Sequence, residues 1–235
     1  VDAIVRLEGV SKVYGEGDVA VHALRGIDLT LARGDFAAMA GPSGSGKSTL
    51  LNLIGALDRP TSGTVEVDGR DLGHLSLAEL SRLRRDRIGF VFQSFNLVPV
   101  LTALENAEYV LMLQGVAARE RRDRVRALFA EVGLDGLERR FPRELSGGQQ
   151  QRVAIARAIV AEPALVLADE PTANVDSDTG AALLDLMHGL HEEKRITFLF
   201  STHDRAVMRR AERLIRLRDG RIVGDGPPGA ETDVA

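Results

Sequence analysis

Gly41-Pro-Ser-Gly-Ser-Gly46-Lys47-Ser48, followed by Thr49, fits the pattern G-x-x-x-x-G-K-[ST]. These residue types suit one task, holding a chain of phosphates. Gly41, Gly44 and Gly46 let the backbone take positive φ and bring its N–H groups close to an anion. A helix starting near Lys47 adds the positive end of its dipole and its free N–H donors. Lys47 brings a point charge to the β- and γ-phosphates. Ser48 offers a hydroxyl oxygen to Mg²⁺, which prefers hard oxygen ligands. Ser43, Ser45 and Thr49 complete the expected nucleotide-binding loop. A second constellation stands at Leu165-Val-Leu-Ala-Asp169-Glu170, an apolar strand ending in two carboxylates. The C-terminal end of such a strand lies at the sheet edge where α/β proteins bind ligands. Asp169 is the expected second Mg²⁺ contact, through water, and Glu170 the group that polarises an attacking water. An acidic pair alone would be an ordinary surface feature. Beside a phosphate loop it reads as machinery for hydrolysing a nucleoside triphosphate.

Leu145-Ser146-Gly147-Gly148-Gln149 is followed by Gln150-Gln-Arg-Val-Ala-Ile-Ala-Arg-Ala158. Ser146 and two glycines opening a helix form another anion site. The chain already has one phosphate loop, so this second site has no obvious partner within it. At these residues the chain resembles the ABC ATPase family, the nucleotide-binding domains of ABC transporters, over roughly Val5 to Gly224. The resemblance implies an α/β P-loop NTPase core of ABC type with an N-terminal antiparallel β subdomain and a helical subdomain, about 95–160, inserted in the core. It implies one such domain over 1–225, and the stretch 226–235, rich in Pro and Gly, reads as a disordered tail. It also implies that two copies pack head to tail. Each ATP then lies between Lys47 of one copy and Ser146, Gly147, Gly148 and Gln149 of the other.

The remaining family positions follow from the same resemblance. Gln93, after Ile88-Gly-Phe-Val-Phe92, matches the glutamine that contacts Mg²⁺ or the attacking water and links the helical insertion to the core. His203, in Ser201-Thr-His-Asp204, matches the histidine that contacts the γ-phosphate. Asp176 matches an aspartate at the dimer interface, and Tyr14 the aromatic residue that stacks on adenine. One departure is Val175, where the family usually has Leu. Lys47, Glu170, Ser146 and His203 are all retained, which disfavours a catalytically dead sensor.

Three segments resemble one bacterial branch: Tyr14-Gly-Glu-Gly17, Phe95 to Asn106, and Ser146 to Arg152. That branch serves lipoprotein release, macrolide export and related peptide-resistance systems. It implies a separate permease with few transmembrane helices, docked near Gln93 and Phe95–Leu101. The chain would then lie peripherally on the cytoplasmic face of the bacterial inner membrane. The alternative is a close relative that regulates cell division or cell-wall remodelling through a membrane partner.

These residues need an α/β scaffold to position them, and the pattern supplies one. Short apolar runs alternate with helical periodicity. Strands are predicted at Ile4–Val10, Val21–Leu31, Asp35–Ala40, Thr64–Val67, Ala164–Ala168 and Ile196–Ser201. Asp68-Gly69 and Asp219-Gly220 are hairpin signals, the latter between Leu214–Leu217 and Arg221–Val223. Thr102 to Leu145 has a helical pattern, with Val125, Leu128, Phe129 and Val132 on one face. The 235 residues are 44% hydrophobic and 27% charged, as in a globular protein, with 30 basic and 34 acidic residues. No basic stripe marks a nucleic-acid binder, and no nucleic-acid partner is expected. The runs Arg82–Arg85 and Arg119–Arg126 are expected to be solvated helix faces. Cysteine is absent, which excludes disulfides and thiolate metal sites. The first residues do not read as a signal peptide. No apolar run reaches the roughly 20 residues that span a bilayer, so another chain is expected to supply the membrane part.

Overall fold

The computed structural model describes residues 2–229. In chain order the elements begin with β1 (Ala3–Tyr14), β2 (Val21–Ala32), β3 (Phe36–Ala40), α1 (Lys47–Ile54), β4 (Ser62–Val67), β5 (Arg70–Asp71) and α2 (Leu77–Arg87). There follow β6 (Ile88–Val91), α3 (Ala103–Leu113), α4 (Ala118–Glu131), α5 (Gly147–Ile159), β7 (Leu165–Asp169) and α6 (Ser177–Lys194). The chain ends with β8 (Thr197–Thr202), α7 (Arg205–Arg210), β9 (Arg213–Arg218) and β10 (Arg221–Gly226). Two compact units divide the chain, one from residues up to 84 and from 197 onward, the other from residues 85–196.

The first unit holds two β layers. An antiparallel layer runs β2-β1-β4-β5. The other places β3 between β8 and β9, both parallel to it, with β10 antiparallel to β9. Every residue of β3 and β8 is buried, as expected for parallel strands covered on both faces. Phe36, Phe198 and Phe200 form the aromatic centre, with ring centroids 4.8 to 5.7 Å apart. Such pairs contribute about 0.5–1.5 kcal/mol each beyond the area they bury. The predicted hairpins form at Asp68-Gly69 and Asp219-Gly220. All four residues have φ between 50° and 75°, the left-handed geometry of a tight turn.

The second unit joins the parallel pair β6 and β7 to four helices. Val125, Leu128, Phe129 and Val132 are all buried, as their spacing predicts. The stretch from Thr102 to Leu145 is not helical throughout. Gly115, at φ 79°, stands in the break between α3 and α4, and Gly133 and Gly136, at φ 70° and 80°, interrupt the chain after α4. A short 3₁₀ turn at Pro142–Glu144 leads into α5. The capping box of α3 explains its sharp start. The Glu105 carboxylate accepts from the Thr102 N–H at 2.8 Å, and the Thr102 hydroxyl oxygen accepts from the Glu105 N–H at 3.3 Å. Asn106 is buried and ties the preceding loop down. Its Nδ2 donates to the carbonyls of Val98, Leu101 and Thr102, and its Oδ1 accepts from the Val98 N–H.

Two expectations need correction. The arginine runs are only partly solvated: Arg82, Arg119, Arg122, Arg124 and Arg126 are exposed as expected, whereas three others find partners. Arg84 donates to the Ala56 carbonyl at 2.6 Å, Arg85 pairs with Asp86, and Arg121 pairs with the buried Glu108. Arginine's stem packs on apolar surface while its fork finds carbonyls and carboxylates. The second concerns Gly226, where the disordered tail is expected to begin: it pairs with Leu214 in β10. Residues 230–235 of that tail lie outside the described residues.

Candidate functional site

The phosphate loop springs directly from the buried strand β3 and ends in α1. Gly41 is there because backbone packs against it: a Cβ would collide with the Leu217 carbonyl oxygen. Gly44 and Gly46 have φ of 79° and 102°. Gly46 is also pressed against β2, where a Cβ would stand 2.6 Å from the Ala23 carbonyl oxygen. Gly46 caps α1 without any side-chain hydrogen bond. No N-cap side chain competes for the amides that open the helix, whose N–H groups have no partner within the helix, as an anion site requires. Lys47 is buried, and its Nζ donates to the Gly41 carbonyl at 2.7 Å and the Pro42 carbonyl at 3.0 Å. The ammonium is thus held inside the ring of the loop. Ser45 is buried with an Oγ that has no hydrogen-bond partner among the described residues. Ser43, Gly44 and Ser48 are exposed.

His203 is placed at the same sheet edge. β3 and β8 are parallel neighbours with Ala40 opposite Thr202. Each strand's next residue, Gly41 or His203, therefore leaves the sheet at the same level. The turn at His203 is set locally. The Thr202 hydroxyl accepts from the Asp204 N–H at 2.9 Å, and the Asp204 carboxylate caps α7 through the Ala206 N–H at 2.7 Å. Tyr14 ends β1, and its hydroxyl donates to Asp58 at 2.9 Å. Burial and this carboxylate raise its pKa.

The second unit repeats the device. β6 and β7 are parallel with Val91 opposite Ala168. Gln93 and Glu170 each follow two residues beyond that pair, at one strand edge. Glu170 has φ 47°, a left-handed backbone in a residue other than glycine, of the kind that functional sites retain. Asn174 donates to the Gln93 carbonyl at 2.9 Å, joining the segments after β6 and β7. Gln151, fully buried in α5, donates to the Pro171 carbonyl at 2.6 Å. Arg157 donates to the carbonyls of Phe95 and Asn96, two residues with positive φ. Burial lowers the pKa of Arg157.

Ser146 and Gln149 form a reciprocal cap on α5. The Gln149 amide oxygen accepts from the Ser146 N–H at 2.9 Å, and Ser146 Oγ accepts from the Gln149 N–H at 3.3 Å. Gly147 and Gly148 complete the first turn, where Gly147 lies against Asn174 and Val175, and Gly148 against Thr179. Asp176 caps α6 through the N–H and hydroxyl of Thr179, at 2.9 and 2.7 Å. Those donors lower its pKa.

Sequence reasoning missed Gln151, Asn174 and Arg157 as organisers, as well as Asp58 beside Tyr14. Gln151 and Arg157 lie inside the motif that follows Ser146, so a signal for them was present. Nothing in the local pattern marked Asp58.

An ABC transporter family model matches residues 24–173. The chain belongs to the ABC transporter family. It is an ATPase of the kind that carries this cassette. A lipoprotein-releasing system ATP-binding protein of Anaeromyxobacter dehalogenans is 49% identical over 95% of this chain and 94% of its own length. A macrolide export ATP-binding/permease protein of Brucella melitensis is 48% identical over 94% of this chain, but the chain spans only 34% of that relative. Among solved structures, a dimeric post-hydrolysis state of the ATP-binding cassette MJ0796 bound to ADP and Pi superposes with a TM-score of 0.88. It is 44% identical, covering 95% of this chain and 98% of that one. The ABC cassette fold expected from the motifs is therefore the fold observed.

Proposed function

We propose that this chain hydrolyses ATP to power a separate membrane permease, in a system of the lipoprotein-release or macrolide-export type. The observation that carries the reading is the complete cassette, with the Lys47 loop, Glu170, the Ser146 cap and His203 each on its own structural anchor. Near-full-length likeness to a lipoprotein-releasing ATPase supports the branch. Among the described residues no helix is long and apolar enough to cross a membrane, which is consistent with a partner that supplies the spans. The chain is then peripheral, on the cytoplasmic face of the bacterial inner membrane. Residues about 95–160 act as the helical subdomain within one ATPase domain.

The chemistry follows from the residue types. The amides of the Gly41–Thr49 loop and the Lys47 ammonium bind the phosphates, and Tyr14 stacks on the adenine. Two copies close head to tail, with Ser146, Gly147, Gly148 and Gln149 of each completing the other's γ-phosphate site, and Asp176 at the interface. Glu170 orients water for in-line attack. Lys47 and His203 stabilise charge that develops on the phosphate oxygens. Hydrolysis removes the ligand that holds the copies together, and they separate. Ser48, Asp169 and Gln93 are the residues assigned to Mg²⁺, which when bound supplies Lewis-acid charge to the transferring phosphate. Their hydroxyl, carboxylate and amide oxygens fit a hard cation. Among the described residues no cluster of three or more His, Cys, Asp or Glu side chains offers a cage. The fit is therefore to a metal held largely by phosphate and water.

The test is to identify what co-purifies with the tagged chain from detergent-solubilised membranes of its own host. A permease with few spans and a large extracytoplasmic domain supports the reading. A cell-division membrane protein, or none, overturns the transport assignment and leaves the ATPase in place.

A further inference from the structure

A polar cluster at the open end of β1 sits beside the phosphate helix. Lys12 Nζ donates to Asp58 Oδ1 at 2.7 Å and to the Arg59 carbonyl at 2.8 Å. The other oxygen of the same carboxylate accepts from the Tyr14 hydroxyl at 2.9 Å. Lys12 Nζ also lies over the Tyr14 ring, 4.8 Å from its centroid, at cation–π distance. The phenol is thus held at its hydroxyl and covered on a face, yet Tyr14 keeps 41% of its surface exposed. Asp58 is itself fixed to α1. Its N–H, like that of Leu57, donates to the Asn52 carbonyl inside that helix. The same carboxylate also accepts from the Arg59 N–H at 2.7 Å. These donors hold the Asp58 pKa below the ordinary carboxylate value against the opposing effect of burial.

α1 is the helix whose N-terminus carries the phosphate loop. The Asp58 carboxylate, with a direct side-chain hydrogen bond between Tyr14 and Thr49 of α1, therefore connects the ring proposed to receive the base with the helix proposed to receive the phosphates. We propose that Lys12 and Asp58 are positioning residues for nucleotide binding, clamping the Tyr14 ring at a set place relative to the Gly41–Thr49 loop. The inference rests on the reading of Tyr14 as the adenine-stacking residue. A free aromatic side chain must be immobilised when the base arrives, and a clamped one already is. The Lys12 ammonium on one face leaves the remaining exposed ring surface for the base. Neither side chain needs to touch the nucleotide.

The experiment compares binding of Mg-ATP and of Mg-tripolyphosphate, which has no base, to the wild-type chain and to D58N, K12M, Y14F and Y14A. Y14F keeps the ring and loses the hydroxyl's bonds to Asp58 and to the Thr49 side chain. D58N, K12M and Y14F should each weaken ATP binding roughly three- to ten-fold, the scale of immobilising one side chain. Tripolyphosphate binding should stay within about two-fold of wild type for all of them, which also reports that the phosphate loop is folded. The D58N/Y14F pair should lose less than the sum of the two single losses, because both changes weaken the Tyr14–Asp58 bond. Equal losses for ATP and tripolyphosphate would overturn the positioning role and make the cluster a general support of the fold. Unchanged ATP binding in D58N and K12M, with a loss in Y14A, would also overturn it. Unchanged ATP binding in Y14A would instead remove Tyr14 from base recognition, and the clamp with it.

Discussion

Ala40 and Thr202 stand opposite each other on the parallel strands β3 and β8. The phosphate loop and the His203 turn therefore start from one level of one sheet edge, although they are far apart in the chain. The γ-phosphate role proposed for His203 requires that it be carried by a strand whose end coincides with that of the strand feeding the loop. Parallel pairing in this register meets that condition without any contact having to be specified between the two segments.

Lys47 is the first position to test. Its ammonium is buried against the Gly41 and Pro42 carbonyls, so it organises the loop as well as charging it. Lys47→Ala should reduce ATP hydrolysis by about 10²-fold or more, the scale of removing one preorganised electrostatic group. Steady-state phosphate release checks this, and normal turnover would sink the phosphate-loop assignment.

Glu170 and Ser146 separate chemistry from assembly. Glu170→Gln should lower turnover by about 10²- to 10⁴-fold, the range for a general base, while ATP-dependent dimers accumulate. Ser146→Arg should keep ATP binding by the single chain but abolish those dimers. Size-exclusion chromatography with and without ATP reads both. A persistent Ser146→Arg dimer would contradict the head-to-tail site.

Gly46 tests whether backbone geometry shapes the loop. It combines φ of 102° with a carbonyl 2.6 Å from the position of an added Cβ. Gly46→Ala should cost about 1–3 kcal/mol and weaken ATP binding together. Denaturant unfolding and an ATP titration check the two effects, and a fully stable variant with wild-type affinity would show that the loop can shift freely.

The start of α3 predicts an acid dependence. Hydrogen bonds from the backbone and hydroxyl of Thr102 lower the folded-state pKa of Glu105. A lowered folded pKa means that this contribution is complete above the unfolded value, near 4.3. It is lost as pH falls through the lower folded value. Thr102→Ala should destabilise by about 1 kcal/mol at neutral pH, the usual scale of a lost cap. The deficit relative to wild type should shrink as acid protonates Glu105. Thermal melts across pH 2–7 check it, and a deficit independent of pH would show that the Thr102 hydroxyl adds nothing to the hold on the Glu105 carboxylate beyond the backbone N–H.

The sequence was most legible where chemistry constrains residue type locally. A tight loop between strand and helix needs glycines, and an aspartate-glycine pair makes a hairpin, so the Gly41–Thr49 turn and both predicted hairpins could be read directly. Helix caps were partly legible. The serine and glutamine opening α5 were visible as a motif, whereas Asp176 as the cap of α6 was hidden behind its expected place at a dimer interface.

Long-range polar partners were not legible, because a hydrogen bond between distant segments leaves no periodicity in either. Arg157 holding the Phe95 and Asn96 carbonyls, and Gln151 holding Pro171, are of this kind. So are Arg84 on the Ala56 carbonyl and Asp58 between Lys12 and Tyr14. By itself the sequence determined the glycine-rich loop proposed to receive phosphate, the carboxylates at a strand end, and the family to which they belong. Only the tertiary structure decided which strand ends share a level and which side chains hold the reactive segments in place, because strand register and buried polar pairing arise from packing between segments that have no knowledge of each other along the chain.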